Sequence, residues 1–448
     1  MSPLQASGRP KTVALITFGC AKNLVDSEVM LGHLRLAGYA VTARPERADI
    51  LILNTCGFIR PAREEVERGI EDAIALKRDS TGKTLAVTGC YVERSADELR
   101  VRYPEVDVWM GVRDFDRIVP ALEGRPRRPG RAAFLCSHTT PRVLSTPATW
   151  AYVKISEGCS HECSFCAIPG IKGPYRSRPV SSILTEATEL VRRGVKEINL
   201  VSQDTTYFGR DRGRRDGLAD LLRRLVDVRG LRWIRFLYGY PDEVTPALLE
   251  VMTERKVCRY LDLPFQHAAP QVLRPMRRGL EAGRALDLIE RIRLKLPGVS
   301  LRTSLIVGFP GEGRREFDRL REFVGEARFD HLGVFVYSPE EGTPAFELGD
   351  PVPEREKLRR QREIMTLQAR ISRAVNARYL HSRQEVLIES AVKGPRLAWI
   401  GRTRFQAPEV DGVVRVTDPR RPARSVRPIE RVEIVATQVY DLRGMIVG

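Results

Sequence analysis

Between residues 150 and 380, six short apolar runs alternate with segments of helical spacing, and this rhythm restricts the fold more than any other feature of the chain. The runs are Ala151–Ile155, Glu197–Val201, Trp233–Leu237, Tyr260–Leu263, Leu301–Val307 and Leu332–Tyr337. Ile183–Arg193, Leu218–Val228, Thr245–Arg255, Arg284–Leu296 and Arg314–Ala327 separate them, with apolar residues at helical intervals. Consecutive strand–helix units connect by right-handed crossovers into a parallel sheet. Six of them predict a partial (β/α)6 barrel, short of the eight that close a full one. Pro353–Leu380 reads as a long charged helix that closes this region.

The flanking regions differ. Residues 11–125 alternate as strand Val13–Phe18, helix Leu24–Ala37, strand Asp49–Asn54, helix Arg60–Lys77 and strand Thr84–Thr88. That pattern predicts an open, mostly parallel sheet. Gly124–Gly130 contains only Gly, Arg and Pro and reads as a linker. From about 381 the pattern shifts to short strands (Glu385–Glu389, Val413–Thr417, Arg431–Ala436) with Gly and Pro turns, which predicts a small β-barrel. The expected fold is thus α/β in three domains: 11–125, 145–378 and 380–448.

Of 448 residues, 42% are hydrophobic, enough for real cores. No apolar run approaches the roughly 20 residues of a membrane helix. Val13–Phe18 is too short for a signal core, and the segment before Cys20 is too short for a lipoprotein signal, so a soluble cytoplasmic protein with reduced thiols is expected. Eight cysteines are far too sparse for a disulfide scaffold.

Six of those cysteines carry the chemistry. Cys159, Cys163 and Cys166 give the spacing CxxxCxxC immediately after the first barrel strand. Three thiolates on one short loop match one face of a 4Fe-4S cluster, one ligand per iron. The fourth iron is then open to a small molecule. A zinc site is the alternative, but zinc usually takes paired CxxC motifs and a fourth ligand, and His161 inside the loop is poorly placed to serve. Cys20, Cys56 and Cys90 recur at intervals of 36 and 34 residues, each just past an apolar strand and next to a glycine (Gly19, Gly57, Gly89). In a parallel sheet all strand carboxyl ends share one edge, so these three converge there. They offer a second thiolate tripod. The alternative is three ordinary buried cysteines at strand ends. Cys136 and Cys258 lack such partners and read as structural.

Charge is uneven. Residues 11–125 hold 17 basic and 18 acidic side chains, 126–379 hold 44 and 31, and 380–448 hold 12 and 8. The basic excess in the middle and tail fits an anionic partner such as RNA or a ribonucleoprotein. It fits equally an Arg-rich chain with solvated faces.

The cysteine loop after the first barrel strand resembles the radical S-adenosylmethionine (SAM) superfamily, and the three N-terminal cysteines resemble its methylthiotransferase branch. The tail resembles a TRAM domain. The strings "GCAKNLVDSE" (19–28), "NTCGFI" (54–59), "KISEGCSHECSFCAIP" (154–169), "SQDT" (202–205), "YLDLPFQHA" (260–268), "IVGFPGE" (306–312) and "APEVDG" (407–412) are similar to the members that modify a ribosomal protein. The tRNA-modifying members typically have "GCQMN" and "VPYTRG" where this chain has "GCAKN" and "IPGIKG" (168–173).

The resemblance implies a methylthiotransferase that acts on the β-carbon of an aspartate in small-subunit ribosomal protein twelve, free or in the ribosome. It implies two 4Fe-4S clusters and SAM as cofactors. Cys159, Cys163 and Cys166 would ligate the cluster that holds SAM. Cys20, Cys56 and Cys90 would ligate an auxiliary cluster that handles sulfur. A low-potential electron donor such as ferredoxin or flavodoxin is implied, along with a contact to ribosomal RNA and no membrane. The substrate loop is basic, whereas the TRAM-like segment carries a basic excess. An acidic face within it, or basic contacts to RNA, would each reconcile the two.

Other candidates sit at strand ends. Gln203 and Asp204 follow the second barrel strand, where a barrel site is built. Gly308 and Glu312 belong to "GFPGE" after the fifth, where backbone can approach the SAM adenine. Loop capping and a plain turn are the respective alternatives. His267 reads as a substrate contact or a structural histidine, and Trp399 and Phe405 as core rather than base-stacking residues. No catalytic side chain is assigned. Two rival functions remain at this point: a tRNA adenosine methylthiotransferase, and a non-catalytic iron–sulfur RNA-binding protein.

Overall fold

The computed structural model describes residues 9–80, 82–125, 133–392, 398–418 and 426–447. From residue 126 onward the expected linker lies outside the described residues. The chain divides into two units, one of Met1–Ser145, Ser156–Glu162 and Cys166–Arg178, the other of Thr146–Ile155, Cys163–Phe165 and Pro179–Gly448.

In the first unit, strands β1 (Thr12–Thr17), β2 (Ala40–Val41), β3 (Ile50–Thr55), β4 (Thr84–Gly89) and β5 (Val108–Met110) form one parallel sheet in the order β2-β1-β3-β4-β5. The central strand β3 is buried along its whole length, as a sheet covered on both faces requires. Helix Arg60–Arg78 packs Val66, Ile70, Ala73 and Ile74 on one face, against Leu51, Leu53, Leu85 and Val87. Helix Ala21–Leu36 packs Met30 and Leu34 on the other, against Val13, Ile50, Ile52 and Ala86. Helix Cys90–Arg102 and the three-residue strand β5 go beyond the sequence reading, because the helix is largely polar and kinks at Ser95. The excursion 156–178 contributes an antiparallel pair, Ser156–Glu157 with Arg176–Ser177, and the short helix Ile168–Lys172.

The fully buried Glu28 fastens the end of this unit to its first helix. Its carboxylate accepts from Arg142 Nε at 2.7 Å, the Ser145 amide at 2.6 Å and the Ser145 hydroxyl at 2.8 Å. Removing one partner of a buried ion pair strands the other charge. Glu28→Ala should therefore cost this unit about 3–5 kcal/mol, read as a lower denaturant midpoint, with Glu28→Gln losing less.

The second unit contains β6 (Trp150–Lys154), β7 (Glu197–Val201), β8 (Trp233–Phe236), β9 (Tyr260–Asp262), β10 (Ser300–Val307) and β11 (His331–Val336). β8-β7-β6 and β9-β10-β11 are each parallel sheets. A parallel bridge from Ile234 to Val257 joins them, so the six strands run in sequence order as an open arc. The third connecting helix is shorter than expected and spans only Pro246–Val251, with the Thr245 hydroxyl capping the Leu248 amide. Helix Glu354–Ala377 lies against the last strand, where Gln361 Nε2 donates to the Val334 carbonyl at 2.8 Å.

The tail strands β12 (Arg383–Val392), β13 (Ala398–Arg402), β14 (Val414–Thr417), β15 (Ile429–Thr437) and β16 (Leu442–Ile446) close into a barrel in the order β12-β13-β14-β16-β15. Two of these, β13 and β16, go beyond the sequence reading because each is interrupted by glycine. The interruption is required by packing: a Cβ at Gly401 would lie 2.4 Å from the Leu387 carbonyl oxygen, and one at Gly444 2.3 Å from a Val432 methyl. Trp399 lies in this barrel's core with Val386, Val416 and Ile434, while Phe405 stacks on Tyr379 with ring centroids 3.9 Å apart. Among the described residues no helix is long and apolar enough to cross a membrane.

Candidate functional site

Sheet register brings the three N-terminal cysteines to one edge. Thr17 pairs with Asn54, and Asn54 with Thr88, in a single row across β1, β3 and β4. Cys20, Cys56 and Cys90 follow that row within three residues, at the carboxyl ends of three adjacent strands. Cys20 precedes helix Ala21–Leu36 and Cys90 opens helix Cys90–Arg102. The turns touch: a Cβ on Gly19, which has φ of +94°, would sit 2.8 Å from Cys56 Cβ and 3.1 Å from its sulfur. At Gly89 (φ +108°) a Cβ would lie 2.6 Å from the Asn54 side-chain oxygen and from the Thr55 backbone. Only glycine meets both the left-handed backbone and the close approach.

Asn23 ties the three turns together. Its Nδ2 donates to the Phe18 carbonyl at 3.0 Å and the Thr55 carbonyl at 3.1 Å, and its Oδ1 accepts from Cys90 Sγ at 3.6 Å. Asn54 supports it from beneath, with Nδ2 donating to the Asn23 carbonyl at 2.8 Å and the Ser27 hydroxyl at 2.9 Å. Neither asparagine was legible as a site residue, although both lie in the strings that carry the cysteines.

The sulfurs sense one another. Burial pushes the Cys90 thiol up to about 12, with Lys172 opposing and the Cys20 and Cys56 sulfurs adding to the rise. Burial also raises Cys56, partly offset by the Phe58 amide. Cys20 is held below its ordinary value: burial is outweighed by the Lys22 ammonium, the Asn23 and Lys22 amides and the Lys172 ammonium.

The CxxxCxxC loop is fastened within each unit. In the first, the Cys159 amide donates to the Gly173 carbonyl at 3.0 Å, and the Tyr175 amide to the Ser160 hydroxyl at 3.1 Å. In the second, the Ser164 hydroxyl donates to the Pro275 carbonyl at 2.6 Å and the Ser164 amide to the Met276 carbonyl at 3.2 Å. Arg278 Nη1 donates to Cys163 Sγ at 3.7 Å and Nη2 to the Pro264 carbonyl at 2.6 Å. Its guanidinium lies 3.7 Å from the centroid of Tyr240. An N–H directed at a ligating sulfur is a recognised control on cluster potential. Arg278 is a further contact that sequence reasoning missed. Cys159, Cys163 and Cys166 are all partly exposed, whereas Cys136 and Cys258 are buried.

Among the described residues no three His, Cys, Asp or Glu side chains close around a single point as they would around one metal ion. Cluster thiolates each take a separate iron, so they are not required to meet at a point. Soft thiolate-only donor sets, on glycine turns that let the three strand ends approach closely, fit an iron–sulfur core.

The remaining candidates hold turns. Asp204 Oδ1 accepts from the Thr206 amide at 2.8 Å, and Gln203 beside it is partly exposed. Glu312 is buried, accepting from the Gly308 amide at 2.6 Å and from Arg360 Nη1 at 3.0 Å. Gly308 packs against the buried stem of Lys357. His267 is buried, with Nδ1 accepting from the Ala269 amide at 3.0 Å and Nε2 3.6 Å from Glu312.

Comparison with known proteins agrees with this layout. Residues 12–111 match the uncharacterized protein family UPF0004, residues 153–324 the radical SAM superfamily and residues 382–447 the TRAM domain. The ribosomal protein uS12 methylthiotransferase RimO of Geobacter sulfurreducens is 43% identical over 449 residues, covering 99% of this chain and all of that one. RimO of Solibacter usitatus is 43% identical over 440 residues, covering 97% of this chain and 95% of its own. Among solved structures, the radical SAM methyltransferase TsrM of Kitasatospora setae aligns with a TM-score of 0.54 at 14% identity, covering 75% of this chain and 74% of that one, which speaks to fold alone. With near full-length identity above 40% to several RimO proteins and the domain order matched throughout, the chain belongs to the RimO family of radical SAM methylthiotransferases.

Proposed function

We propose that this enzyme methylthiolates the β-carbon of an aspartate in ribosomal protein uS12. The observation that carries the reading is the match to uS12 methylthiotransferases over 99% of this chain and the whole length of the relative. The enzyme works with an iron–sulfur cluster and SAM, as membership of the radical SAM superfamily entails. Cys159, Cys163 and Cys166 hold that cluster in this reading, and Cys20, Cys56 and Cys90 hold a second 4Fe-4S cluster. When bound, these cofactors supply radical and sulfur chemistry that no protein acid or base provides at an unactivated C–H bond. The chain's own residues position and enclose. Arg278 steadies Cys163, Asn23 keeps the three sheet-edge turns together, and the Asp204 and Glu312 turns, with Gln203 and Gly308, shape the strand ends against which SAM lies. A low-potential donor of the ferredoxin or flavodoxin type delivers the electron.

The basic charge of the central region is the one observation that favours a tRNA substrate instead. Deleting the gene and analysing both products by mass spectrometry decides between them. Loss of the methylthio group from uS12 with tRNA unchanged is expected. Loss from tRNA with uS12 intact overturns the proposal.

A further inference from the structure

Three of the strings singled out above meet at one buried charge. Lys172, from "IPGIKG", is 1% exposed and ion-pairs with Asp26 Oδ2 of "GCAKNLVDSE" at 3.2 Å and with Glu157 Oε1 of "KISEGC" at 3.4 Å. Its ammonium also lies 5.3 Å from the centroid of Phe115. The preceding residue, Ile171, is buried in the same apolar cluster as Cys90, Met110, Val112 and Phe115, so the short helix is seated beside the cysteine turns. The Lys172 charge acts on both Cys20 and Cys90. Lys172 takes no part in the roles assigned so far.

The charge balance here is unusual for a protein interior. Two carboxylates pair with Lys172, and its charge reaches the Cys20 and Cys90 thiols, with Lys22 as a second cation near Cys20. A site meant for three thiolates gains further negative charge when it is loaded. Like charges in a low-dielectric interior repel strongly, and burying an uncompensated anion is expensive. A structural ion pair alone would need one carboxylate, placed anywhere in the core. Lys172 has two carboxylates, and its helix packs beside the Cys90 turn.

We propose that Lys172 is a positioning residue for the auxiliary thiolate set: its ammonium, clamped between Asp26 and Glu157, is the fixed positive charge against which Cys20, Cys56 and Cys90 carry an anionic cluster. The inference rests on the two-cluster reading given above. Its consequence is electrostatic. With the ammonium removed, two buried carboxylates face the cluster unopposed and disfavour adding an electron. With Asp26 neutralised, the balance moves the other way.

The test uses the full-length chain with Cys159, Cys163 and Cys166 replaced by alanine, reconstituted anaerobically with iron and sulfide, so that only the auxiliary set can bind. Iron per chain is measured, and the cluster's reduction is followed by electron paramagnetic resonance in a redox titration. Lys172→Met should shift the reduction equilibrium at least tenfold toward the oxidised form, about 59 mV for one electron. Asp26→Asn should shift it by a similar factor toward the reduced form, and Lys172→Arg should stay near the parent. A merely structural ion pair would lower the unfolding midpoint without moving the potential in opposite directions. Should Lys172→Met fail to fold, the Asp26→Asn and Lys172→Arg pair decides alone. Iron retained with an unmoved potential in Asp26→Asn overturns the role of Lys172. Absence of iron from the parent instead overturns the second cluster itself, and with it the premise.

Discussion

Cys163→Ala should abolish SAM cleavage outright, whereas Cys56→Ala should leave cleavage near the unsubstituted level and reduce methylthiolated product to background. The two cysteines have separate supports. Cys163 is held by Arg278, itself anchored on the Pro264 carbonyl and stacked over Tyr240. Cys56 stands at the end of β3 beside Gly19, in the network organised by Asn23. The two supports share no residue, so truncating either sulfur leaves the opposite support in place. Iron content gives the same division: about eight irons per chain in the unsubstituted protein and about four in either variant, if each tripod holds a four-iron core. Cleavage lost equally in both variants would break the division of labour. About four irons in the unsubstituted protein would leave one cluster only.

The meeting of Cys20, Cys56 and Cys90 at one sheet edge could be read from the sequence because a cysteine just past an apolar strand already implies that edge. The supporting groups could not be found that way. Asn23, Lys172 and Arg278 are ordinary polar residues until the fold closes, and each acts on a backbone, carboxylate or sulfur group far away in sequence. The converse holds for Asp204 and Glu312. A carboxylate after a strand suggests a ligand contact; Asp204 accepts from the Thr206 amide just after it, and Glu312 from the Gly308 amide just before it. Strand patterns were read well in the central barrel, where β7 begins and ends as expected, since apolar runs there are continuous. They were read poorly in the tail, where Gly401 and Gly444 stand inside strands for reasons of neighbouring backbone and side-chain packing that periodicity does not show.

Arg402→Ala should produce the largest loss of stability in the second unit, about 3–5 kcal/mol. The string "APEVDG" and the strand before it dock the small barrel on the larger one through buried charge. Glu197 of β7 is fully buried and accepts from Arg235 Nε at 3.0 Å and from Arg402 Nη2 at 2.7 Å. Arg402 also donates to Glu389 at 2.6 Å and to the Gln406 carbonyl at 2.9 Å. Beside this group, Tyr260 donates to Asp411 at 2.7 Å and Tyr152 to Glu409 at 3.0 Å. Burial raises the Glu197 carboxyl, but Arg402 and then Arg235 outweigh it and hold it below the ordinary value. A carboxyl depressed in the folded state stabilises above its unfolded value and loses that contribution as pH falls through the folded one. Glu389 is raised by burial, so its protonation on acidification acts in the opposite sense and blunts the slope. Urea unfolding of the unsubstituted chain should therefore weaken on going from neutral pH into the range below ordinary carboxylate values. Arg402→Ala should lower the midpoint at neutral pH and flatten that dependence. The double substitution Glu197→Gln with Arg402→Met should not recover the loss, because Glu197 is also the carboxylate on which the fully buried Arg235 rests, and its removal strands that guanidinium. Equal midpoints for Arg402→Ala and the unsubstituted chain would show that the small barrel is held by its apolar contacts alone.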